Sequence, residues 1–147
     1  MTTTEWVFSF GKDANFISSS ERGIWGFENN GTNYKHFIEH VKPGDRLWFK
    51  SKGQIIAVAT YIMMRQRQNG PLVNMDFTNS DLGWTGSEVE GTHLVFYDNL
   101  YDLRHTDLRP SIVGAAPVRR YNYKGEGINL SAEYPHILRY MKPSKKM

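Results

Sequence analysis

One stretch of the sequence limits the possible folds more than any other. The run from Gln54 to Met64 reads QIIAVATYIMM and is apolar at most positions. A strand that is apolar on both faces has to be covered on both sides, so this run is predicted to be the central strand of a sheet. With 147 residues, 39% of them hydrophobic and 14% aromatic, the chain can bury a core around that strand as a single domain, 1–147.

Shorter segments supply the rest of the sheet and a few helices. Alternating aromatic and β-branched residues predict strands at Glu5–Phe10, Gly23–Phe27, Arg46–Lys50 and Thr92–Tyr97. An apolar face recurring at the helical spacing predicts a helix over Asn33–His40. Shorter helices are expected at Asp13–Ser20, with Asp13 as N-cap, and at Glu133–Met141, with Ser131 as cap and Pro135 near the start. The segment 98–127 is predicted to be mostly loop. The layout is that of a small mixed barrel with two or three short helices.

Composition excludes several classes of protein. Cysteine is absent, so the chain has no disulfide framework, no thiolate metal site and no cysteine nucleophile. No apolar run reaches membrane-spanning length, and the first ten residues lack a signal-peptide pattern. We therefore expect an intracellular protein, cytoplasmic or nuclear, that does not partner a membrane. The basic segment 142–147 is expected to be a flexible tail.

The charges occur in blocks. Lys42–Arg67 holds six basic residues and one acid, Asp76–Asp107 holds seven acids and one base, and Arg109–Met147 holds eight bases and two acids. Such blocks can build a one-sided basic surface although the net charge is only +3. If that surface follows a nucleic-acid backbone, the expected phosphate contacts are Lys50, Lys52, Arg65, Arg67, Arg119 and Arg120.

No catalytic or metal-binding pattern in the sequence is favoured over a structural explanation of the same residues. His36, Glu39 and His40 match H-x-x-E-H, but they lie opposite the apolar face formed by Tyr34 and Phe37, so a solvated helix face is favoured over a metal site. Ser18–Ser20 are favoured as capping or turn residues. No pair of carboxylates stands out for acid–base chemistry. We expect no metal and no cofactor.

The four tryptophans differ in their surroundings. Trp6 alternates with Val7 in the first strand and is expected in the core. Trp48 shares a strand face with Arg46 and Lys50, which suits either ordinary packing or a nucleic-acid surface, with packing favoured.

The other two tryptophans are candidates for binding. Trp25 stands between Gly23 and Gly26, small residues that would let a flat ligand approach its ring. Trp84 lies in a polar loop, where an exposed large aromatic is costly unless it has a function.

At these residues the chain resembles a known family, the EVE domains, which are related to YTH domains within the PUA-like superfamily. The resemblance covers about residues 5–63 well and the remainder loosely, at Trp84 and Leu94–Tyr97. It is carried by Trp6–Phe8, Asn15, Gly23–Gly26, Val41–Phe49, Gly53 and Ile56–Ala59.

The resemblance implies a fold and a site. The fold would be α+β, a PUA-like, mostly antiparallel twisted β-barrel with peripheral helices. The site would be an aromatic pocket for one extruded, modified base, with Trp25 as one wall and Trp84 as the second. Asn15 would hydrogen-bond the base edge, and Gly26 and Gly11 would offer backbone groups. The alternative is that Trp84 only anchors its loop, in which case Trp48 is the next candidate wall.

The resulting function is a non-enzymatic module that reads a modified base in RNA or DNA. Aromatic faces that stack on a base suit this chemistry. Two alternatives stay open. One is a PUA-like hydrolase acting on a modified nucleoside, with Lys12 as its pocket-adjacent lysine. The other is a protein–protein interaction module, viral or regulatory.

Overall fold

A computed structural model describes residues 3–10, 13–27, 32–66, 77–85, 93–109, 118–120, 130–140 and 142–144. The strands are β1 (Glu5–Phe10), β2 (Ile24–Phe27), β3 (Arg46–Ser51), β4 (Gln54–Gln66), β5 (His93–Asp102), β6 (Val118–Arg120) and β7 (Lys142–Pro143). The helices are α1 (Ala14–Ser20), α2 (Thr32–His40), α3 (Asn79–Leu82) and α4 (Leu130–Ile137), and α4 is followed by a 3₁₀ turn at Leu138–Tyr140. Within this part of the chain, no helix is long and apolar enough to cross a membrane.

The strands form one mixed sheet in the order β2-β5-β4-β3-β1-β6, with β7 paired to β5. The β1–β3 pair is parallel and the other described pairs are antiparallel. The expectations of a mostly antiparallel sheet and of a central Gln54–Met64 strand are confirmed. The edge strands β2 and β6 are not paired with each other within the described residues, so the sheet is open there and a closed barrel is not observed.

Side-chain alternation divides the core between the two faces of the sheet. On one face, α1 and α2 cover the β1 residues Trp6 and Phe8. From α2, Phe37 lies edge-on to both of these rings, with centroid distances of 5.1 Å. On the other face, α4 covers Val7 and its neighbours, and α3 covers the end near β2. The domain therefore has three layers, with the sheet in the middle.

Two buried carboxylates fix the parallel β1–β3 pair. Asp45 accepts hydrogen bonds from the backbone N–H groups of Thr4 and Lys42 and from the Trp6 indole, at 3.0–3.1 Å. Glu5 accepts from Arg46 Nε at 2.6 Å and from the Trp48 indole at 3.0 Å.

The second oxygen of Glu5 is buried without a hydrogen-bond partner among the described residues. Burial is the largest effect on this carboxyl and raises its pKa, although the hydrogen bonds from Arg46 and Trp48 oppose the rise. Glu5 is therefore a buried acid whose charged form is only partly compensated.

Gly23 has a structural reason to be glycine. Its φ is +67°, and a Cβ at this position would lie 2.5 Å from the carbonyl oxygen of Tyr97. The backbone of the two residues is also joined by a 2.9 Å hydrogen bond from Tyr97 N–H to the Gly23 carbonyl. Gly23, two positions before Trp25, thus allows the close approach between the start of β2 and β5.

The C-terminal segments differ from the sequence-based expectations. Because α4 begins at Leu130, Ser131 is its second residue and not its cap, and Pro135 lies near its C-terminal end. The 3₁₀ turn follows within three residues of this proline, which cannot donate a backbone hydrogen bond. Within the predicted flexible tail, Lys142 and Pro143 pair with β5, and residues 145–147 lie outside the described part of the chain.

Three further segments depart from the predictions. Asp13 precedes α1 but makes no side-chain capping bond. The short helix α3 lies where only a loop was expected. Strand β5 extends to Asp102, into the segment predicted to be loop, because its second half pairs with Ala57–Thr60 of β4.

Candidate functional site

The candidate site lies at the edge of the sheet formed by β2. Trp25 is half-buried there, and its ring centroid is 5.1 Å from Phe10 and 5.7 Å from Phe16. The indole of Trp84 meets it edge to face, with centroids 6.0 Å apart and an interplanar angle of 76°. Two tryptophans that are 59 residues apart in the sequence therefore form one aromatic corner. Both tryptophan residues are half-buried.

Local sequence explains how Trp84 is held. Thr78 and Asp81 form a capping box at the start of α3, each side chain bonding the other residue's backbone N–H. Gly83 ends the helix at φ +72°, a left-handed conformation that glycine adopts without strain. The backbone N–H of Trp84 then donates to Asn79 at 2.8 Å. The chain is thereby turned so that Trp84 returns to the sheet edge.

Asn15 connects α1 to the Trp84 segment. The Trp84 indole N–H donates to the backbone carbonyl of Asn15 at 2.9 Å. The side-chain oxygen of Asn15 accepts from the backbone N–H of Thr85 at 3.3 Å. Nearby, Ser18 Oγ donates to the Leu82 carbonyl at 3.0 Å. Asn15 thus already uses two acceptors to hold the second ring in place, and its side-chain NH₂ makes no hydrogen bond with the described residues.

This geometry determines what the corner can bind. Since the two rings touch edge to face, a planar ligand stacks on one ring and meets the edge of the other, instead of being sandwiched between parallel walls. The side-chain oxygen of Asn15 bonds the residue that follows Trp84, so its amide lies beside the Trp84 segment and its NH₂ group can donate to a ligand acceptor. The arrangement suits a flat, uncharged heteroaromatic group with a polar edge.

The remaining predicted pocket residues are placed differently. Gly26 follows Trp25 on β2 and lies opposite Leu94 of β5. Gly11 lies outside the described residues. Trp48, the substitute candidate for the second wall, is fully buried on the opposite face from Trp25, so it cannot serve as that wall. Its prediction as a packing residue is confirmed, as is that of Trp6.

The predicted phosphate contacts are distributed over several elements, and for three of the six the side chain is not described. Lys52 is exposed in the β3–β4 turn, and Lys50 is half-buried at the end of β3. Arg65 is exposed at the opposite end of β4 from the turn that holds Lys52. Arg119 and Arg120 lie on β6, at the opposite edge of the sheet from β2, and only their backbone is described. Arg67 lies outside the described residues.

The histidine motif of α2 does not hold a metal-binding geometry. Glu39 and His40 are exposed as predicted, whereas His36 is half-buried with its ring 5.7 Å from Trp6. His40 Nδ1 is 2.9 Å from the backbone carbonyl of His36. No group of three or more potential metal ligands occurs within the described residues.

One cleft beside the corner was not found from the sequence. It has a volume of about 640 Å³ and is lined by α1 and by the segment around α3, including Arg22 and Phe77. The sequence carried only a weak signal for it, since Phe77 lies in a stretch that reads as a polar loop. A second cavity of about 600 Å³ lies near the middle of β5 and is lined by Gly23 and Asn99. Neither cleft is lined by Trp25 or Asn15.

Comparison with solved structures identifies the fold. The Pho92 YTH domain in complex with m6A matches with a TM-score of 0.55 and 14% identity, covering 97% of this chain and 85% of that chain. The YTH domain of Zygosaccharomyces rouxii MRB1, in complex with N6-methyladenosine RNA, matches with a TM-score of 0.51 and 13% identity, covering 96% and 90%. An ASCH protein from Zymomonas mobilis matches with a TM-score of 0.50 and 11% identity, covering 95% and 96%.

The fold is PUA-like. YTH and ASCH domains both belong to this group of folds, so the expectation of a PUA-like α+β domain is confirmed. No protein-family model matches the chain, and no curated protein matches it. At identities of 11–14% the structural likeness establishes the fold alone.

Proposed function

We propose that this protein is an intracellular, EVE-type module that captures a modified base of a single nucleic-acid strand in the corner formed by Trp25 and Trp84. The observation that carries the proposal is the convergence of three residues from separate elements. Trp25 of β2 and Trp84 after α3 have ring centroids 6.0 Å apart, and Trp84 is hydrogen-bonded to Asn15 of α1.

The energetics of base capture are consistent with this corner. Extruding a base costs a few kcal/mol, and less when the strand is already single. One stacking face contributes about 1–3 kcal/mol. The edge of the second ring and the Asn15 amide add directional contacts to the base. A methyl group against an aromatic edge contributes about 0.8 kcal/mol by transfer from water.

The structural neighbours suggest the first ligand to test. Of the YTH structures named above, one is a complex with m6A and the other is a complex with N6-methyladenosine RNA. We extend that ligand class to this chain: a purine with a methylated exocyclic amine would place its ring on one indole and its methyl group at the edge of the other.

The experiment is a titration with short single strands that each contain one modified base, in RNA and DNA versions, against the unmodified strand. Binding is followed by calorimetry, with the fraction folded measured on the same samples. The wild type should prefer one modified strand. Trp25→Ala should weaken that binding roughly 5- to 150-fold, which corresponds to the loss of one stacking face.

The matched control is Tyr134→Ala. Tyr134 is also half-buried, but it packs against Trp48 in the cluster under α4, with ring centroids 6.2 Å apart. Its loss should lower stability and leave binding per folded molecule unchanged. If Trp25→Ala binds as tightly as Tyr134→Ala, or if no modified strand is preferred, the proposal is wrong. Release of a modified product would instead favour the hydrolase alternative.

A further inference from the structure

Two arginines and two phenylalanines form a continuous stripe beside the corner. The ring centroids of Phe77 and Phe96 are 6.2 Å apart. The guanidinium of Arg22 lies 5.7 Å from the centroid of Phe77, and that of Arg65 lies 5.9 Å from the centroid of Phe96. We call these four residues the arginine–phenylalanine stripe.

The sheet and α3 hold the stripe in place. Phe96 lies on β5 on the same face as Leu94, and Arg65 of β4 is the cross-strand partner of Leu94. Phe77 immediately precedes the capped helix α3 and has a φ of +51°, a conformation that is costly for a phenylalanine. Arg22 is held by a 3.3 Å bond from its Nε to the Asp81 carbonyl.

The stripe is accessible and continuous with the corner. Both phenylalanine rings are half-buried and both arginines are exposed. Phe77, Phe96 and Trp84 pack against one small buried cluster, Ile24, Leu82 and Leu94. Trp84 therefore belongs to both the corner and the cluster under the stripe, whereas Trp25 packs on the other face of the sheet, so a strand would pass around Trp84 to contact both surfaces.

The chemistry of the stripe favours a single strand of nucleic acid over a simple anion. Half-exposed aromatic rings stack on any base, and guanidinium groups bind phosphates and stack on bases. Glu21 and Asp81 line the cleft beside Arg22, so the stripe is not a strongly electropositive pocket. The Asp81 carboxylate already accepts a hydrogen bond from the Thr78 backbone. Stacking, assisted by two positive charges, is the interaction that this surface offers.

We propose that the arginine–phenylalanine stripe binds the nucleotides that flank the captured base, stacking them on Phe77 and Phe96 and placing Arg22 and Arg65 against the backbone phosphates. The proposal rests on the proposed function for the position of the strand. It adds a second contact region that the corner alone does not provide.

The test compares two probes, the N6-methyladenosine nucleoside and a short single-stranded RNA with the same base at its centre. Phe77→Leu and Phe96→Leu keep an apolar side chain and remove the stacking face. Each should weaken RNA binding about fivefold or more and leave nucleoside binding unchanged. Arg22→Gln and Arg65→Gln should each reduce the slope of log affinity against log salt by about 0.7.

The matched control is Arg139→Gln, which removes the same charge from an exposed position after α4. Lys142, three residues after Arg139, pairs with Asp102 at the C-terminal end of β5, whereas Arg65 pairs with Leu94 near the N-terminal end of β5. The Arg139→Gln substitution should therefore change RNA affinity only slightly. Melting temperatures measured on all five variants separate lost binding from lost folding.

The outcomes separate this inference from the proposed function. If modified RNA is preferred and that preference needs Trp25, but the stripe variants bind RNA normally, the stripe proposal is overturned and its apolar face is left for a protein partner. If no modified base is preferred, the proposed function fails. The stripe proposal is then tested with unmodified single strands alone. If Phe96→Leu binds these strands with unchanged affinity, the stripe proposal is also overturned.

Discussion

Substitutions of Asn15 provide a sharp test of the candidate site, because its backbone carbonyl, its side-chain oxygen and its side-chain NH₂ group can be assigned different roles. Its backbone carbonyl holds the Trp84 indole at 2.9 Å, and no substitution of the side chain removes that bond. Its side-chain oxygen holds the Thr85 N–H at 3.3 Å, an exposed and long contact. Asn15→Asp keeps this acceptor and replaces the NH₂ donor with a second carboxylate oxygen, which adds a negative charge that weakens modified and unmodified strands alike, whereas Asn15→Ala removes both groups.

The magnitudes follow from these contacts. Loss of the Thr85 bond in Asn15→Ala should cost no more than about 1 kcal/mol of unfolding free energy, or roughly 2–4 °C in melting temperature. Asn15→Asp should melt close to the wild type. Both variants should lose about 1 kcal/mol of preference for the modified base, roughly fivefold, because each lacks the amide donor.

The assay is a calorimetric titration of each variant with modified and unmodified strands, beside a thermal melt. The informative quantity is the ratio of the two affinities, since stacking tolerates any base. If Asn15→Asp keeps the wild-type ratio, Asn15 only holds the Trp84 segment, and the argument that its amide reads the base edge is refuted.

Three further predictions concern the surroundings of the site. Trp84→Phe loses the hydrogen bond to Asn15 but keeps an aromatic face. It should lower the unfolding free energy by about 1 kcal/mol and change the affinity per folded molecule little. A large loss of affinity would instead indicate that the indole N–H contacts the ligand. Gly23→Ala should cost at least about 1 kcal/mol in urea denaturation, because its Cβ would meet the Tyr97 carbonyl at a positive φ, and a neutral result would contradict that geometry. Burial raises the pKa of Glu5 above its ordinary value of 4.5, so the stability that Glu5 contributes is fully present below pH 4.5 and is lost as the pH rises through the raised pKa. Glu5→Gln should remove this part of the pH dependence of the unfolding free energy. Identical pH profiles for the variant and the wild type would contradict this prediction.

The sequence predicted the sheet well where burial imposes a local period. The central strand β4 and the apolar face of α2 are visible as patterns within a dozen residues, and the structure places both as expected. By contrast, Glu5 reads as the polar first residue of a strand. Its burial depends on Arg46, 41 residues away, through a parallel pairing that no local pattern reveals.

The arrangement of the candidate site residues could be predicted only in part, and their role stays a prediction. The convergence of Asn15 and Trp84 was expected only from the family resemblance, because the hydrogen bonds that join them span about 70 residues. The capping signature of Thr78 and Asp81 was readable, but only one apolar residue, Leu82, follows it within α3, so it did not stand out as a helix start. The sequence also contained an indication of Phe96, because alternation along the predicted strand places this aromatic residue and Tyr97 on opposite faces of the strand.

The position of the site at β2 has a physical consequence. An edge strand needs covering, and here α1 and the Trp84 segment cover it on both faces. A helix as short as α3 is not stable alone. The Trp84 segment is held by the buried side chain of Leu82, by the packing of Trp84 and by a few side-chain hydrogen bonds, so it should open at lower cost than the sheet. Under the proposed function, that property would let a base enter a corner whose two rings meet edge to face in the free protein.

Indole hydrogen exchange tests this difference directly. The indole N–H groups of Trp6 and Trp48 are fully buried and bonded to the carboxylates of Asp45 and Glu5, so they should exchange only through global unfolding. The indole of Trp84 is half-buried and bonded to one backbone carbonyl, so it should exchange orders of magnitude faster, through local opening. A ligand in the corner should slow Trp84 alone, apart from any general gain in stability. If Trp84 exchanges as slowly as Trp6 in the free protein, the cover opens only when the domain unfolds, and a ligand must then bind to the closed corner from outside.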